Sequence, residues 1–395
     1  MMKRVLRWGM ELLLAPLVVC LALVGRYSTK RVDIGLGPEP IINNLYHKEA
    51  LKREGFSVET FASHVSHITD RFDLRADRGV ARLRLLRPLG LLWLWVIVAR
   101  RYRCVYIYFN GGVVSHLGRV FLWRWEPWLH RMARLRTVVM PYGSDVQELT
   151  RTRNLRFRHA MTIDYPEQRH RRERVKRQIE QWTRHADHTL SGCDWVDYMY
   201  HWDTLMLAHF SIDTDDWRPQ AGTSDSGARP LRILHAPNHR AIKGTEFFVR
   251  AVEELQSEGL PIELVILERV PNTEVRRVME GVDLVADQLV VGWYAMLAIE
   301  AMALAKPVLC HIREDLEELY VLAGLLDRGE LPIIRCSPET VKAEIRRLAQ
   351  DRVRLKKIGA ASRAYVEKHH SLEAIGAVFD RINRGIGVVP SPHAG

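Results

Sequence analysis

The chain is poor in the residues that build covalent or metal frameworks. Its 395 residues hold five cysteines (Cys20, Cys104, Cys193, Cys310 and Cys336), an odd number with no Cys-x-x-Cys pair. Neither a disulfide scaffold nor a zinc ribbon is therefore written into it. Scattered thiols of this kind fit small core residues in a reducing compartment, which points to the cytoplasm. Histidine and cysteine nowhere cluster, so no metal site is expected. The chain also lacks a solenoid repeat and a long low-complexity tract, which sets aside the repeat and disordered classes. Acidic residues are in deficit: 47 Asp and Glu face 58 Lys and Arg, a formal net charge of +11. Such an excess favours anionic partners, among them nucleic acid, acidic lipid and phosphorylated small molecules. With 47% apolar and 27% charged residues, what remains is a folded globular protein long enough for two cores.

One long apolar run stands at the N-terminus. "WGMELLLAPLVVCLALVG", Trp8 to Gly25, has Lys3, Arg4 and Arg7 before it and Arg26, Lys30 and Arg31 after it. That length just reaches a bilayer span, but Glu11 and Pro16 interrupt its apolar character. The flanking charges balance, so they give no orientation. A removed leader is possible, but no clear small-x-small cleavage site follows the run. A spanning anchor and a helix lying in the interface both remain open, with a buried soluble helix behind them.

Beyond this segment, residues 1–31, short apolar strands alternate with amphipathic helices. "RVDIGLG", "FSVETFAS", "CVYIYFNGG" and "RTVVMPYGSD" read as buried strands, the last two closed by glycine turns. "PIINNLYHKEALKREG" reads as a helix ending at Gly55, and "LGLLWLWVIVARRY" as a strongly apolar stretch, either core or a second membrane contact. From Arg151 to Arg184 the chain is intensely basic, which suits solvated helices or a surface facing anionic lipid. No nucleic-acid reading module accompanies the charge, so nucleic acid is not an expected partner. "RPQAGTSDSGARP", residues 218–230, is small, polar and bounded by proline, the signature of a linker. The alternation then restarts through "LRILHAP", "IELVILE", "LVADQLV", "PVLCHI" and "PIIRC", with helices between them, one of them at Trp293–Leu304. The expected fold is α/β: two Rossmann-like domains, 32–218 and 230–370, flank a cleft, with a linker at 219–229 and a C-terminal helix and tail at 371–395.

Three stretches then carry a resemblance. "HRAIKGTEFFVRAVEEL" followed by "AIEAMALAKPV" is similar to the second domain of family-four-type, GT-B-fold nucleotide-sugar glycosyltransferases. "FSIDTDDWRP" resembles their exit from the first domain, and "YGSDV" the glycine turn of their acceptor domain. The resemblance implies a donor nucleotide-diphosphate sugar, retention of anomeric configuration and no tightly bound metal or other cofactor. It places Glu300 on the ribose hydroxyls and Lys243 on the diphosphate, with Arg240 as its companion and His239 and Gly244 beside it. A helix opening near Gly292, with Trp293, Tyr294, Ala295 and Met296 in its first turn, would present amides to the diphosphate. Lys306-Pro307 would end that helix. The pattern departs from the family in five places: Gly292 stands for a usual glutamate, Ala295 and Ala305 for glycines, Asn238 for an arginine usually five before the lysine, and Tyr142 for a frequent histidine. On residue type alone, Glu300 also fits a partly exposed acid on an ordinary amphipathic helix.

On the acceptor side the candidates are Gly35, Gly37, Gly111, Gly112 and Gly143, with His116. Asp145 is a candidate for serving a hydroxyl nucleophile or, alternatively, for capping a helix at "VQELT". The expected activity is transfer of a sugar to a lipid-linked or envelope glycan acceptor in polysaccharide biosynthesis, at the inner face of the membrane. A nucleotide-sugar epimerase and a non-catalytic scaffold for glycan assembly are the alternatives.

Overall fold

The computed structural model describes residues 2–65, 69–83, 86–219 and 229–392, so most of the expected linker, 220–228, lies outside the described residues. Seven strands make the first sheet: β1 (Val32–Leu36), β2 (Val58–Ala62), β3 (Leu74–Arg75), β4 (Tyr102–Tyr108), β5 (Arg136–Met140), β6 (His188–Ser191) and β7 (Thr204–Leu205). Every pairing is parallel and the order is β3-β2-β1-β4-β5-β6-β7. Around it stand α1 (Met2–Arg26), α2 (Asn43–Arg53), α3 (Arg87–Arg101), α4 (Val113–Leu117), α5 (Leu122–Met132), α6 (Leu155–Asp164) and α7 (Arg172–His185). Strand β4, "YRCVYIY", is β-branched and aromatic and is buried along nearly its whole length, as a central parallel strand covered on both faces must be.

The second sheet holds β8 (Leu231–His235), β9 (Ile262–Ile266), β10 (Leu284–Gln288), β11 (Val308–Cys310) and β12 (Ile334–Arg335), all parallel, in the order β12-β11-β10-β8-β9. Its helices are α8 (Arg240–Lys243), α9 (Thr245–Ser257), α10 (Asn272–Glu280), α11 (Met296–Ala303), α12 (Glu314–Leu322), α13 (Val341–Gln350), α14 (Arg352–His369) and α15 (Leu372–Gly385). Helix α15 returns to the first unit and packs on α2. There Ile375, Phe379 and Ile382 join Ile34, Leu36 and Tyr106 in one core. No regular helix forms at Val146–Thr150, so the capping role considered for Asp145 has no helix to serve.

The N-terminal apolar run is one helix, α1, laid side-on against α3 and α5. Ala15, Val18 and Ala22 are buried in that contact, and Trp95 donates its indole N–H to the Val18 carbonyl at 3.1 Å. Glu11, the residue that most disturbs a spanning segment, is 1% exposed. Its carboxylate accepts the backbone N–H groups of Val120, Phe121 and Leu122 at 2.7, 2.8 and 3.1 Å, at the start of α5. An anion at a helix N-terminus satisfies orphan amides and complements the dipole. The opposite face, with Leu6, Leu12, Leu13, Leu17 and Val24, is exposed and apolar. Of "LGLLWLWVIVARRY", Leu94, Trp95, Val98 and Ala99 are core, while Leu89 and Trp93 are exposed.

Replacing Glu11 by Ala leaves three amides without their acceptor and should lower stability by about 2–4 kcal/mol. Leu13→Ala, at a side 82% exposed, should stay within about 0.5 kcal/mol of the parent. Denaturant unfolding of the two variants checks this; equal midpoints would mean that α1 is not docked through Glu11.

Candidate functional site

In open parallel sheets ligands sit beyond the carboxyl ends of the strands, where the strand order reverses. In the second sheet that point lies between β8 and β10. The chain leaving β8 turns through α8 and Gly244, whose φ of +71° closes the short helix in the left-handed region. The chain leaving β10 runs through Gly292 into α11. Between them Lys243 Nζ meets Asp287 Oδ1 at 2.7 Å, with side chains 12% and 0% exposed. The other Asp287 oxygen accepts the N–H of Ala295, the residue that opens α11, at 3.2 Å. Lys243 and the start of α11 are thus brought together around a carboxylate that sequence reading had not singled out. Its neighbour Gln288 was also missed. It shapes the connecting loop by accepting the Val290 and Val291 amides at 2.8 and 2.7 Å and donating to the Trp293 carbonyl at 2.9 Å.

Helix α11 starts at Met296, later than expected, because residues 292–295 are held as a loop. Gly292 has φ +104°, and a Cβ there would come within 2.6 Å of the Arg313 side chain. The glycine at the family's glutamate position is therefore fixed by backbone conformation and by Arg313 lying over it. Trp293 and Tyr294, expected to bind donor, are buried structural anchors. The Trp293 indole N–H reaches the Leu207 carbonyl at 2.9 Å, and the Tyr294 hydroxyl meets Tyr365 and His370 at 2.8 Å each. Met296 stands half-buried at the helix start. Glu300 is 3% exposed, not a surface acid, and accepts from Asn272 Nδ2 at 2.8 Å. Burial pushes its pKa up to about 7 against the pull of Asn272 and the Arg276 charge. Ala305, at the other end of the helix, has φ +55°, the conformation that explains a glycine there in related patterns.

Arg240 does not accompany Lys243. Its exposed guanidinium pairs with Glu246 at 2.8 Å and Glu268 at 3.1 Å. His239 is half-buried against Tyr165, ring centroids 4.5 Å apart. The first unit reaches across here as well: the Asp164 carboxylate accepts the Ile242 N–H at 2.8 Å, and Asn154 Nδ2 donates to the Val290 carbonyl at 2.6 Å. Arg313 closes the same face by pairing with Asp197 at 2.6 Å, its side chain 10% exposed.

The first sheet reverses between β1 and β4, and at the carboxyl ends of those strands lies a cavity of about 790 Å³. Glu39, His64, Asn110, His116 and Tyr142 line it, together with five arginines. Of the residues expected on this side, His116 is in the wall: Nε2 meets Glu39 Oε1 at 2.9 Å and Nδ1 meets the Gly112 carbonyl at 2.9 Å. Burial alone would lower the His116 pKa, but the Glu39 hydrogen bond and charge outweigh it and leave it raised. The glycines serve packing. Gly35 lies against the Tyr102 ring and Gly37 against the Phe61 carbonyl, with no room for a Cβ at either. The Gly111 amide donates to the Tyr108 carbonyl at 2.9 Å, and buried Glu126 accepts from Gly112 and Val114 at 2.9 and 2.6 Å. Asp145, wholly buried, accepts from Phe109, Tyr142 and Gly143 at 3.0, 3.0 and 2.9 Å, and burial pushes its pKa up to about 7. Its carboxylate ties the loop after β4 to the loop after β5 and does not open into the cavity.

No family model matches the sequence, and no curated protein matches it. Solved structures do. A sucrose-phosphate synthase from Thermosynechococcus elongatus superposes with a TM-score of 0.60 at 14% identity, over 90% of this chain and 99% of that one. Anabaena HepE, solved in complex with UDP, gives 0.56 at 13% identity, over 90% and 100%. WaaG, a glycosyltransferase involved in lipopolysaccharide biosynthesis, gives 0.52 at 11%, over 90% and 100%. Together with the two parallel sheets, these likenesses show the GT-B fold.

The titration of Glu300 gives a measurable sign. Its folded-state pKa lies above that of a free glutamate, so its contribution is fully present below about pH 4 and is lost as pH rises through about 7. Glu300→Gln removes that loss. Urea unfolding at pH 5 and pH 8 should show a smaller drop in stability for the variant than for the parent; an equal drop would exclude Glu300 as the titrating group.

Proposed function

We propose that the protein is a glycosyltransferase that moves a sugar from a nucleoside-diphosphate donor to a lipid-linked or envelope glycan acceptor. The observation that carries the reading is the meeting of Lys243 and the first turn of α11 at the switch point of the second sheet, with Glu300 inside the same helix. A sugar–phosphate bond breaks more easily when cations and amides stabilise the charge gathering on the departing nucleotide. Lys243 supplies the cation and α11 the amides, once the donor displaces Asp287 from one or both. An ionised Glu300 suits the ribose hydroxyls as a hydrogen-bond acceptor. The resemblance implies retention of configuration and no tightly bound metal, so catalysis rests on placement and leaving-group stabilisation.

The cytoplasmic face of a membrane is the proposed location. Helix α1 is docked along its length on the first unit, so crossing a bilayer would carry α3 and α5 in with it. Its free apolar face, in a window of mean hydropathy 2.0, instead suits a position in the plane of the interface.

A donor screen on purified protein, read out by nucleotide release, tests the activity; silence with every nucleotide sugar and a membrane extract would overturn it. Lys243→Ala should cut turnover by roughly 100-fold or more, the scale of one lost charge-stabilising contact. Because Asp287 then stays buried without its cation, stability should also fall by about 3–5 kcal/mol; turnover is therefore compared below both unfolding midpoints, and parental turnover would remove Lys243 from the mechanism.

A second reading, a non-catalytic scaffold, is favoured by one feature: Asp164 and Asp287 already fill the amide positions beside Lys243. If the site is a donor site, Asp164→Ala frees the Ile242 amide, and calorimetry should then show UDP or GDP binding several-fold tighter than in the parent. Absence of nucleotide binding in both proteins would favour the scaffold.

A further inference from the structure

We infer that the cavity at the switch point of the first sheet binds the phosphate or diphosphate group of a membrane-embedded acceptor lipid. The acceptor role rests on the glycosyltransferase reading above; the chemical class is what the cavity adds. Five guanidinium groups line it: Arg7 from α1, Arg87 from α3, Arg119 between α4 and α5, and Arg171 and Arg174 at the start of α7. They arrive from four separate stretches of chain, so one solvated helix face does not account for their meeting.

Among the described residues none of the five is ion-paired to a carboxylate, although most other arginines in the chain are. The two acids in the wall are already committed. Glu11 holds the amides that open α5, and Glu39 holds His116 and Asn110. Burial, then the charges of Arg119 and Arg171, draw the Arg174 pKa down to about 10. Like charges gathered around one cavity repel each other, and an anion carrying two or more charges relieves that repulsion. The planar guanidinium matches phosphate oxygens two at a time, and five of them exceed the needs of a single carboxylate.

The source of the phosphate follows from the mouth of the cavity. Helix α1 contributes Arg7 and Met10 to the lining and carries Leu6 and Leu13 on its exposed face. Helix α3 contributes Arg87 and Leu91 to the lining, while its exposed Leu89 and Trp93 lie on the opposite side of the helix. A charged cavity bordered by the apolar face of α1, where Leu6 and Leu13 lie one turn from the lining Met10, fits an amphiphile: its phosphate enters and its alkyl chain stays along α1.

Co-sedimentation of the full chain with phosphatidylcholine vesicles tests the inference. Vesicles doped with a polyprenyl diphosphate should bind more tightly than plain ones, and more tightly than vesicles matched in charge by phosphatidylglycerol. The double variant Arg119→Ala, Arg174→Ala should lose that preference, by roughly 10- to 100-fold for each guanidinium removed. Arg119→Lys with Arg174→Lys should recover part of it, which separates charge from misfolding. Arg153→Ala, at an exposed arginine outside the cavity, should leave binding unchanged. Equal binding to phosphatidylglycerol vesicles would reduce the cavity to a general basic surface and overturn the inference. So would inorganic pyrophosphate binding at the cavity with no preference for the doped vesicles, since that outcome assigns the phosphate to a soluble source. The donor screen stands apart: diphosphate-lipid binding without nucleotide release would keep this site and remove the glycosyltransferase reading, and the converse would do the reverse.

Discussion

A carboxylate removed from water has to be matched, and Asp287 is removed completely. Its oxygens find the Lys243 ammonium on one side and the Ala295 amide on the other. A buried ion pair is costly to desolvate and persists only when its remaining hydrogen-bonding positions are filled. That requirement ties the loop after β8 to the start of α11. Gln288, the next residue, then sets the course of the loop to Trp293. The chain cannot place Lys243 without also placing α11, because one carboxylate holds both.

The same device recurs through the molecule. Glu11 holds the start of α5, Glu126 the glycine turn before α4, Asp145 the loops after β4 and β5, and Asp164 the turn of α8. In each place an acid of the chain occupies amides that would otherwise face solvent or ligand. With acids spent in this way, much of the positive excess has no local partner, and part of it gathers as guanidinium groups in the first-sheet cavity. The two halves of the molecule therefore treat anions differently. The crevice of the second sheet is internally neutralised, while the cavity of the first is not.

Much of the fold was legible because it rests on local pattern. The β-branched and aromatic runs became parallel strands, and the apolar periods became their covering helices, since period and burial follow directly from side-chain geometry. Lys243 was placed with the α11 loop by the family resemblance, which its position at a strand exit before a glycine supports. What could not be read were partners distant in sequence. Nothing near Trp293 announces that its indole seeks the Leu207 carbonyl, or that Arg313 lies over Gly292. Glycines in "FNGG" look the same in sequence whether a ligand takes their amides or, as here, the Tyr108 carbonyl and Glu126 do. Glu11 was read as a flaw in an apolar segment, and its role appears only when α5 is set beside it. The arginines of the cavity lie too far apart along the chain for spacing to suggest that they converge; only the packing of α1, α3 and α7 around one sheet end brings them together.

The return of α15 to the first unit carries one more consequence. The chain crosses between the units on the way out near Ile212 and on the way back near His370, and the two crossings are hydrogen-bonded to each other, Ile212 N to His370 O at 2.9 Å. Two tethers fastened side by side act as a single pivot. A rigid-body swing of one lobe about it would have to break the Asp164, Asn154 and Arg313 contacts between the units.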